Sequence, residues 1–332
     1  MSLKTDHILL LLFLIIVAFS KIKKRDEEKE YLSIENCTLI KGFLAINVVL
    51  CHLGQLYKGE GKILDYYVFF GTISVGVFFF LSGYALMFQY LKKADYHVGF
   101  LSRRFGKVFI PYVIVTIVYM IYENLTGHDV GPIEAFTRFL TDDPLVSYSW
   151  YISEIMVLYL SFYASMKMCK TQKTVLISNT IFYICLMVFY KACNFRAFWF
   201  DSTHMYVIGI LWAYYKEKIT EIVSKFDLII LMVSVLFLIL VNTRSTFFSR
   251  VAYLFVFIVF FMRFDYKNRF LTFTGKISME MYMLHGLAFQ IVRRFLFDDG
   301  GFMCLFTSFV IIYILSFVFN RIFRILIRKL GF

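Results

Sequence analysis

Two ionisable side chains, Lys41 and His52, lie in an otherwise apolar stretch of the sequence. Because an α-helix turns about 100° per residue, a step of eleven residues places both on one helix face, about 16 Å apart along the axis. A neutral imidazole can accept a proton from a hydroxyl, and an ammonium group can bind an anion. Such groups within a membrane segment usually face a cavity, so the pair indicates a functional site. On spacing alone two alternatives remain: Lys41 extends to the membrane surface, and His52 is a hydrogen-bonded helix-end residue.

A second histidine, His285, belongs to a polar face in a later apolar stretch. Ser278, Tyr282 and His285 are separated by four and three residues, which places them on one side of a helix. Polar side chains of a membrane helix usually turn inward and hydrogen-bond to neighbouring helices. We therefore interpret this face as a support for the site, made through interhelical hydrogen bonds, rather than as catalytic.

The composition indicates which elements must position these residues. Of the 332 residues, 60% are hydrophobic and 20% are aromatic, and only three are Pro. This excludes a soluble globular protein, and apolar runs of about 16 to 25 residues favour membrane-spanning helices over the strands of a membrane barrel. The predicted fold class is all-α, a polytopic helical bundle in the cell membrane.

The charge and the cysteines narrow the set of partners. A formal net charge of +12 does not indicate a nucleic-acid partner here, because Lys and Arg accumulate in the cytoplasmic loops of membrane proteins. The six cysteines show no Cys-x-x-Cys spacing, and most lie within or next to apolar runs. We therefore expect neither a structural disulfide nor a bound metal.

The chain divides into four segments. Residues 1–20 are predicted to form an N-terminal hydrophobic anchor, an additional helix whose length leaves open whether it crosses the membrane. Residues 21–35 form a charged cytoplasmic linker, residues 36–325 a ten-helix membrane core, and residues 326–332 a basic cytoplasmic tail. The ten predicted spans are Thr38–Leu56, Tyr66–Tyr90, Phe105–Tyr122, Ser149–Met168, Thr174–Tyr190, Ala197–Tyr215, Phe226–Val241, Phe247–Met262, Ile277–Phe297 and Phe302–Phe323.

The distribution of basic residues predicts which ends of the spans lie on the cytoplasmic side of the membrane. With the linker in the cytoplasm, most of the 35 Lys and Arg fall on the cytoplasmic side at each alternation of the spans. Lys41 then lies near the cytoplasmic end of its helix, and His52 lies toward the outer end. Arg103, Arg104 and Lys107, at the cytoplasmic end of the third span, are candidates for binding a cytosolic anion together with Lys41. This arrangement suits a reaction across the membrane.

Two features on the outer side complete the set of candidates. Glu154, near the outer end of the fourth span, is a candidate catalytic partner of His52, because a carboxylate can orient an imidazole and stabilise its cation. The loop of residues 123–148 is acidic and polar. It is either a lid that binds an acceptor or an ordinary solvated connection.

These residues resemble the acyltransferase-3 family of integral membrane O-acyltransferases, over about residues 36–325. The most specific mark of the family is a basic residue, ten further residues and a histidine in the first core helix. Lys41 and His52 match it, with Lys where Arg is commoner. Further stretches that match, in the same order, are Phe78–Tyr84, Arg103–Tyr112 and Ser278–His285.

The resemblance implies transfer of an acyl group, most often acetyl, from cytosolic acyl-coenzyme A to a hydroxyl of a cell-surface or extracellular carbohydrate. His52 would be the essential imidazole, and Lys41 would help Arg103 and Arg104 to bind the donor. Acyl-coenzyme A would be a co-substrate, with no tightly bound cofactor. His52 either acts as a base on the acceptor hydroxyl or carries the acyl group itself, and both routes stay open.

A carrier that exports a glycan or a small solute is the alternative function, because it would use the same polar helix faces as a path. The sequence shows no evident inverted repeat, which is typical of many carriers, and the spacing of Lys41 and His52 favours chemistry. A third alternative, a membrane domain that serves mainly as a partner or sensor, has no positive support in the sequence. The acceptor, the acyl chain length and the oligomeric state are not predicted.

Overall fold

Helices make up most of the protein. The computed structural model describes residues 6–26, 30–57, 62–141, 143–241, 247–297 and 301–331, and these contain thirteen α-helices, one 3-10 helix and two strands. In chain order they are α1 (Asp6–Ala18), β1 (Ser20–Lys24), α2 (Ile34–Leu56), α3 (Lys62–Lys92), α4 (Phe100–Leu125), α5 (Pro132–Leu140), α6 (Trp150–Met168), α7 (Gln172–Ala192), the 3-10 helix Ala197–Trp199, α8 (His204–Tyr214), α9 (Lys216–Leu240), α10 (Phe247–Arg263), β2 (Phe264–Asn268), α11 (Arg269–Lys276), α12 (Ser278–Phe295) and α13 (Phe302–Lys329).

Among the residues that the structure describes, six helices are long and apolar enough to cross a membrane. They are α2, the Tyr67–Lys92 part of α3, α4, α7, α9 and α13. The prediction of a multi-pass, all-α membrane protein is thereby confirmed. Each predicted span except the sixth overlaps a single helix.

The sixth predicted span, Ala197–Tyr215, is wrong as one continuous helix. It consists of the 3-10 helix and α8, which has only 11 residues and is therefore about 16 Å long, roughly half the thickness of the hydrocarbon core. Polar residues at positions 201–203 separate the two parts, and the Thr203 hydroxyl donates to the carbonyl of Trp199 (3.0 Å). Side chains of this kind compete with helical hydrogen bonds, which explains the interruption.

A small antiparallel sheet ties the N-terminal segment to the rest of the protein. β1, which begins the predicted linker, pairs with β2 from Ser20 opposite Asn268 to Lys24 opposite Phe264. The side-chain amide of Asn268 donates to the Ile16 carbonyl (2.7 Å) and its oxygen accepts from Leu271 N (2.9 Å), so it joins the end of α1 to the start of α11. The lysines of β1 are exposed, as expected for a charged linker, but the backbone is an ordered strand.

α2 packs against α3, α11 and α12. Its contact with α11 needs glycine on both helices: an added Cβ at Gly42 would lie 2.1 Å from the Leu271 carbonyl oxygen, and one at Gly275 would lie 1.9 Å from the Thr38 carbonyl oxygen. Both distances are far below van der Waals contact, so any side chain would force the helices apart. Because α12 follows α11 directly, this contact also places α12 beside α2.

Candidate active site

Two cavities lie at the two ends of α2. The His52 cavity has a volume of 470 Å³, and the Lys41 cavity has a volume of 580 Å³. α2 is continuous between the two residues, as predicted. α12 also reaches both cavities, because Tyr282 lines the first and Ser278 lines the second. The predicted faces of α2 and of α12 therefore each extend from one cavity to the other.

Two aromatic rings and one amide hold the imidazole of His52. The ring stacks on Tyr148, with centroids 3.8 Å apart, and on His285, with centroids 5.0 Å apart. Its Nδ1 lies 2.9 Å from Oε1 of Gln55, one turn further along α2. An amide oxygen only accepts hydrogen bonds, so Nδ1 is the donor and Nε2 carries the lone pair of the neutral ring. Nε2 is therefore the basic atom that His52 offers to the cavity.

His285 does not make the interhelical hydrogen bond that we predicted for it. Its Nδ1 donates to the carbonyl of Met281 (3.1 Å), in its own helix, and its ring is fully buried against His52 and Tyr148. Within the described residues, Nε2 of His285 has no hydrogen-bond partner. His285 thus supports His52 by ring stacking, which the spacing of polar residues on α12 did not indicate.

Tyr282 is the member of the polar face that bonds across helices. Its hydroxyl donates to the carbonyl of Tyr148 (2.5 Å) and lies 3.4 Å from the backbone nitrogen of Tyr151, as an acceptor. The third member, Ser278, donates to the carbonyl of Gly275 (3.0 Å) at the junction of α11 and α12. Tyr282 thus makes the predicted interhelical hydrogen bond to a distant helix, whereas Ser278 bonds only to the short helix that directly precedes its own.

Tyr148 is a site residue that the sequence pattern did not identify. Its φ of 64° is in the left-handed region, which costs free energy for a residue other than glycine. The bond from Tyr282 stabilises this conformation. Gly286 lets the adjacent segment approach α12, because an added Cβ there would lie 2.7 Å from Cβ of Ser147. Burial raises the pKa of the Tyr148 hydroxyl, so the ring against His52 is a neutral phenol.

Glu154 is not the partner of His52. Its side chain is fully buried and accepts a hydrogen bond from the hydroxyl of Tyr190 in α7, whereas the hydrogen bond of His52 goes to Gln55. The predicted pairing failed because it assumed that the two outer helix ends face each other. Glu154 faces α7 and stabilises the packing of α6 on that helix.

The Lys41 cavity is strongly basic. Five cationic side chains line it, and one carboxylate, Glu280, accepts from the amide of Asn320 (2.9 Å) at its wall. The cations are Lys41, Lys107, Lys276, Arg324 and Arg328. The prediction named only the first two, because basic residues near helix ends are expected for topology and only the fold shows which of them converge.

Arg103 and Arg104, which we predicted to bind the same anion, do not line this cavity. Arg103 donates to the carbonyls of Val98 (2.7 Å) and Tyr96 (3.0 Å). Arg104 donates to the hydroxyl of Tyr96 (2.7 Å), and its guanidinium carbon lies 5.6 Å from the ring centroid of Tyr159. Both guanidinium groups thus stabilise the turn that leads into α4.

The structure offers no metal site in the part of the chain that it describes. No group of three or more His, Cys, Asp or Glu side chains in those residues is arranged to hold an ion. The six cysteines are free thiols.

We predict that Tyr282→Phe loosens Tyr148. Loss of one buried hydrogen bond, worth about 1 kcal/mol, should raise amide hydrogen exchange in the peptide of residues 145–150 about fivefold. Tyr206→Phe is the matched control, because its hydroxyl also donates to a backbone carbonyl, that of Leu158 (3.2 Å), on a different helix pair. Unchanged exchange in Tyr282→Phe, or an equal rise in the control, would contradict the role of Tyr282.

Comparison with known proteins agrees with the resemblance noted in the sequence. The model of the acyltransferase-3 family, described as an acyltransferase domain, matches residues 34–324, close to the predicted core of residues 36–325. Searches of curated proteins and of solved structures found no match to the chain. Because the family match covers most of its length, the chain belongs to the acyltransferase-3 family and is an acyl-transfer enzyme.

Proposed function

We propose that this enzyme is an O-acyltransferase of the cell membrane that moves an acyl group, most often acetyl, from cytosolic acyl-coenzyme A to a hydroxyl of a cell-surface or extracellular glycan. The observation that carries the proposal is the pair of cavities on α2, with cations around Lys41 at one end and the imidazole of His52, bonded to Gln55 through Nδ1, at the other. A donor bound at one end and an acceptor bound at the other need different chemistry, and the two cavities supply it.

The Lys41 cavity suits the phosphate groups of coenzyme A. Phosphate oxygens are anionic and accept several hydrogen bonds, and Lys and Arg are the side chains that bind them best. The separation of Lys41 and His52, about 16 Å along the helix, is bridged in this proposal by the flexible arm that carries the thioester. Ser278 and Tyr282, on the face of α12 that reaches both cavities, would lie beside that arm.

The His52 cavity suits a saccharide. Aromatic side chains (Tyr148, Trp150 and Phe198) offer ring faces, and charged side chains such as Arg138 and Asp143 offer hydrogen bonds to hydroxyl groups. A sugar presents both kinds of surface, apolar C–H faces and hydroxyl edges.

In the proposed reaction, Nε2 of His52 takes the proton of the acceptor hydroxyl while the oxygen attacks the thioester carbonyl. Collapse of the tetrahedral intermediate breaks the carbon–sulfur bond, and the thiolate of coenzyme A takes the proton from Nε2. The Gln55 oxygen accepts from Nδ1–H throughout and stabilises the imidazolium. A route in which Nε2 itself attacks the carbonyl and then passes the acyl group on uses the same nitrogen and the same hydrogen bond.

We predict that His52→Ala abolishes acyl transfer. The test is mass analysis of envelope glycans from cells that make the wild-type or the variant protein, with the protein level in the membrane measured in parallel. The variant should insert normally, because one imidazole adds little to the apolar runs that drive insertion. His97→Ala, in the turn between α3 and α4, is the control and should keep normal acylation. Near-normal acylation by His52→Ala would refute the proposal.

We also predict that cations of the Lys41 cavity bind the donor. Arg324→Gln and Arg328→Gln should each weaken coenzyme A binding about two- to fivefold, a modest effect because both side chains are exposed and screened by salt. Arg321→Gln on the same helix is the control, since its guanidinium lies over the Phe317 ring and does not line the cavity. Calorimetric titration at two salt concentrations measures the effect. Equal affinities in all three variants would place the donor elsewhere.

The ten-span topology is part of the same proposal. It is supported by the coincidence of the predicted spans with helices and by the basic residues at alternate helix ends, with the 3-10 helix and α8 together forming the sixth crossing. In this topology the Lys41 cavity faces the cytoplasm and the His52 cavity faces outward. The enzyme then meets acyl-coenzyme A on the cytosolic side and the glycan on the outer side.

We predict the sidedness of labelling in intact cells. In a cysteine-free background, Lys24→Cys and Lys329→Cys should resist a membrane-impermeant maleimide, whereas Lys191→Cys, in the last turn of α7, should react. Permeabilised cells should label at all three positions. Strong labelling of position 24 or 329 from outside would reverse the proposed direction of transfer.

A further inference from the structure

Lys21 and Lys267 lie directly opposite each other in the β1–β2 sheet. Residues opposite each other on antiparallel strands point to the same side of the sheet, with Cβ atoms about 5 Å apart, and two like charges in this arrangement destabilise the pairing. Lys23, two positions further along β1, points to the same side, and the residue opposite it is Asp265. We call this side, with Lys21, Lys23 and Lys267, the lysine face. It carries three ammonium groups and one carboxylate.

The other side of the sheet is turned toward the protein. The hydroxyl of Tyr266 lies 2.8 Å from that of Ser20 and accepts from the amide of Asn268 (3.1 Å). The ring of Tyr266 packs on Phe260 of α10, with centroids 5.6 Å apart. The lysine face therefore points outward, and its three lysines are exposed. Among the residues that the structure describes, none makes a hydrogen bond or an ion pair with these three ammonium groups.

The sheet lies next to the membrane. β1 begins two residues after the end of α1, and β2 follows α10 directly. α1 exposes Phe13, Leu14 and Val17, a surface that suits lipid rather than water. A strand rises about 3.3 Å per residue, so Lys21 lies within about 10 Å of the end of α1. The headgroup layer of a bilayer is about 5 to 7 Å thick on each side, and a lysine side chain can extend into it. The lysine face therefore lies at the depth of the lipid headgroups.

The orientation rule for membrane proteins accounts for cations at these helix ends but not for their arrangement. Lysines in irregular loops would satisfy the rule, whereas the sheet fixes two of them opposite each other at a cost in free energy. Nearby acidic residues do not balance the charge. Residues 20–26 contain four basic side chains and one acidic side chain, and residues 264–269 contain two and one. An anion between Lys21 and Lys267 would replace their repulsion by attraction to both.

We propose that the lysine face binds an anionic phospholipid, with the phosphate of its headgroup between Lys21 and Lys267. In the proposed topology this lipid belongs to the cytoplasmic leaflet, whose anionic headgroups attract basic residues next to membrane helices. The bound lipid stabilises the sheet and, through Asn268, the junction between α1 and α11. The inference concerns a lipid site, and it does not depend on the reaction proposed for His52.

The test compares melting temperatures of the purified protein in nanodiscs of phosphatidylcholine alone and of phosphatidylcholine with phosphatidylglycerol. A ligand that binds only the folded state stabilises it, so phosphatidylglycerol should raise the Tm of the wild-type protein by about 2 to 4 °C. Lys21→Gln should lose at least half of this rise. In phosphatidylcholine alone, Lys21→Gln should melt no lower than the wild type, because it removes a pair of like charges. A wild-type Tm that does not respond to phosphatidylglycerol would overturn the proposal.

Two further variants separate a site from general attraction to the membrane. Lys170→Gln is the matched control, because it removes one exposed positive charge from the loop between α6 and α7, on the same side in the proposed topology. It should keep the full rise in Tm, and a loss equal to that of Lys21→Gln would contradict a site on the sheet. Lys21→Glu should pair with Lys267, so it should melt higher than the wild type in phosphatidylcholine and show no rise with phosphatidylglycerol. A full rise in Lys21→Glu would also overturn the proposal.

Inorganic phosphate distinguishes a lipid headgroup from a soluble anion. Added to the wild-type protein in phosphatidylcholine nanodiscs, it should leave the Tm unchanged, because a free ion lacks the attachment to the bilayer that concentrates headgroups at the sheet. A rise equal to that produced by phosphatidylglycerol would assign the lysine face to a soluble anion and overturn the lipid assignment.

Discussion

The burial of α2 is the constraint on which the rest of the structure depends. Within the 18-residue stretch that gives α2 its apolar character, 72% is buried inside the protein. The corresponding share is 28% for α4 and 11% for α9. A helix in this position is surrounded by protein rather than lipid, so it can carry polar side chains whose partners are supplied by its neighbours. Lys41 and His52 are tolerated on one helix because α3, α11 and α12 enclose it and leave a cavity at each end.

Close packing and chemistry are coupled at this helix. Where α11 touches α2 through Gly42 and Gly275, backbone meets backbone, and the chain then turns directly into α12. α12 in turn carries the ring that stacks on His52 and the hydroxyl that holds Tyr148. An error of one helical step in the contact between α2 and α11 would therefore misplace the imidazole stack as well as one wall of the basic cavity.

Much of this architecture could be predicted because hydropathy is a local property. Apolar length identified the helices, and the eleven-residue spacing identified Lys41 and His52 as neighbours on one face. The interruption of the sixth span was missed because its few polar residues barely lower the hydropathy of the window. Tyr148 was missed because it lies in a loop, where the sequence has no helical or strand period from which to predict which way a side chain points. The surroundings of Glu154, Arg103 and Arg104 could not be predicted, because the rotation of a helix about its axis depends on neighbours distant in the chain.

The strand pair β1–β2 has a consequence for the order in which the protein assembles. Ser20 leaves the ribosome before Asn268, its partner, which is synthesised 248 positions later. At 5–20 residues per second, β1 waits roughly 10 to 50 s for β2, and most of the helices are made in that interval. Closure of the sheet is thus a late event in biogenesis. It joins the first helix of the chain to α11, and so completes the support beneath α2 only after the intervening helices have been synthesised.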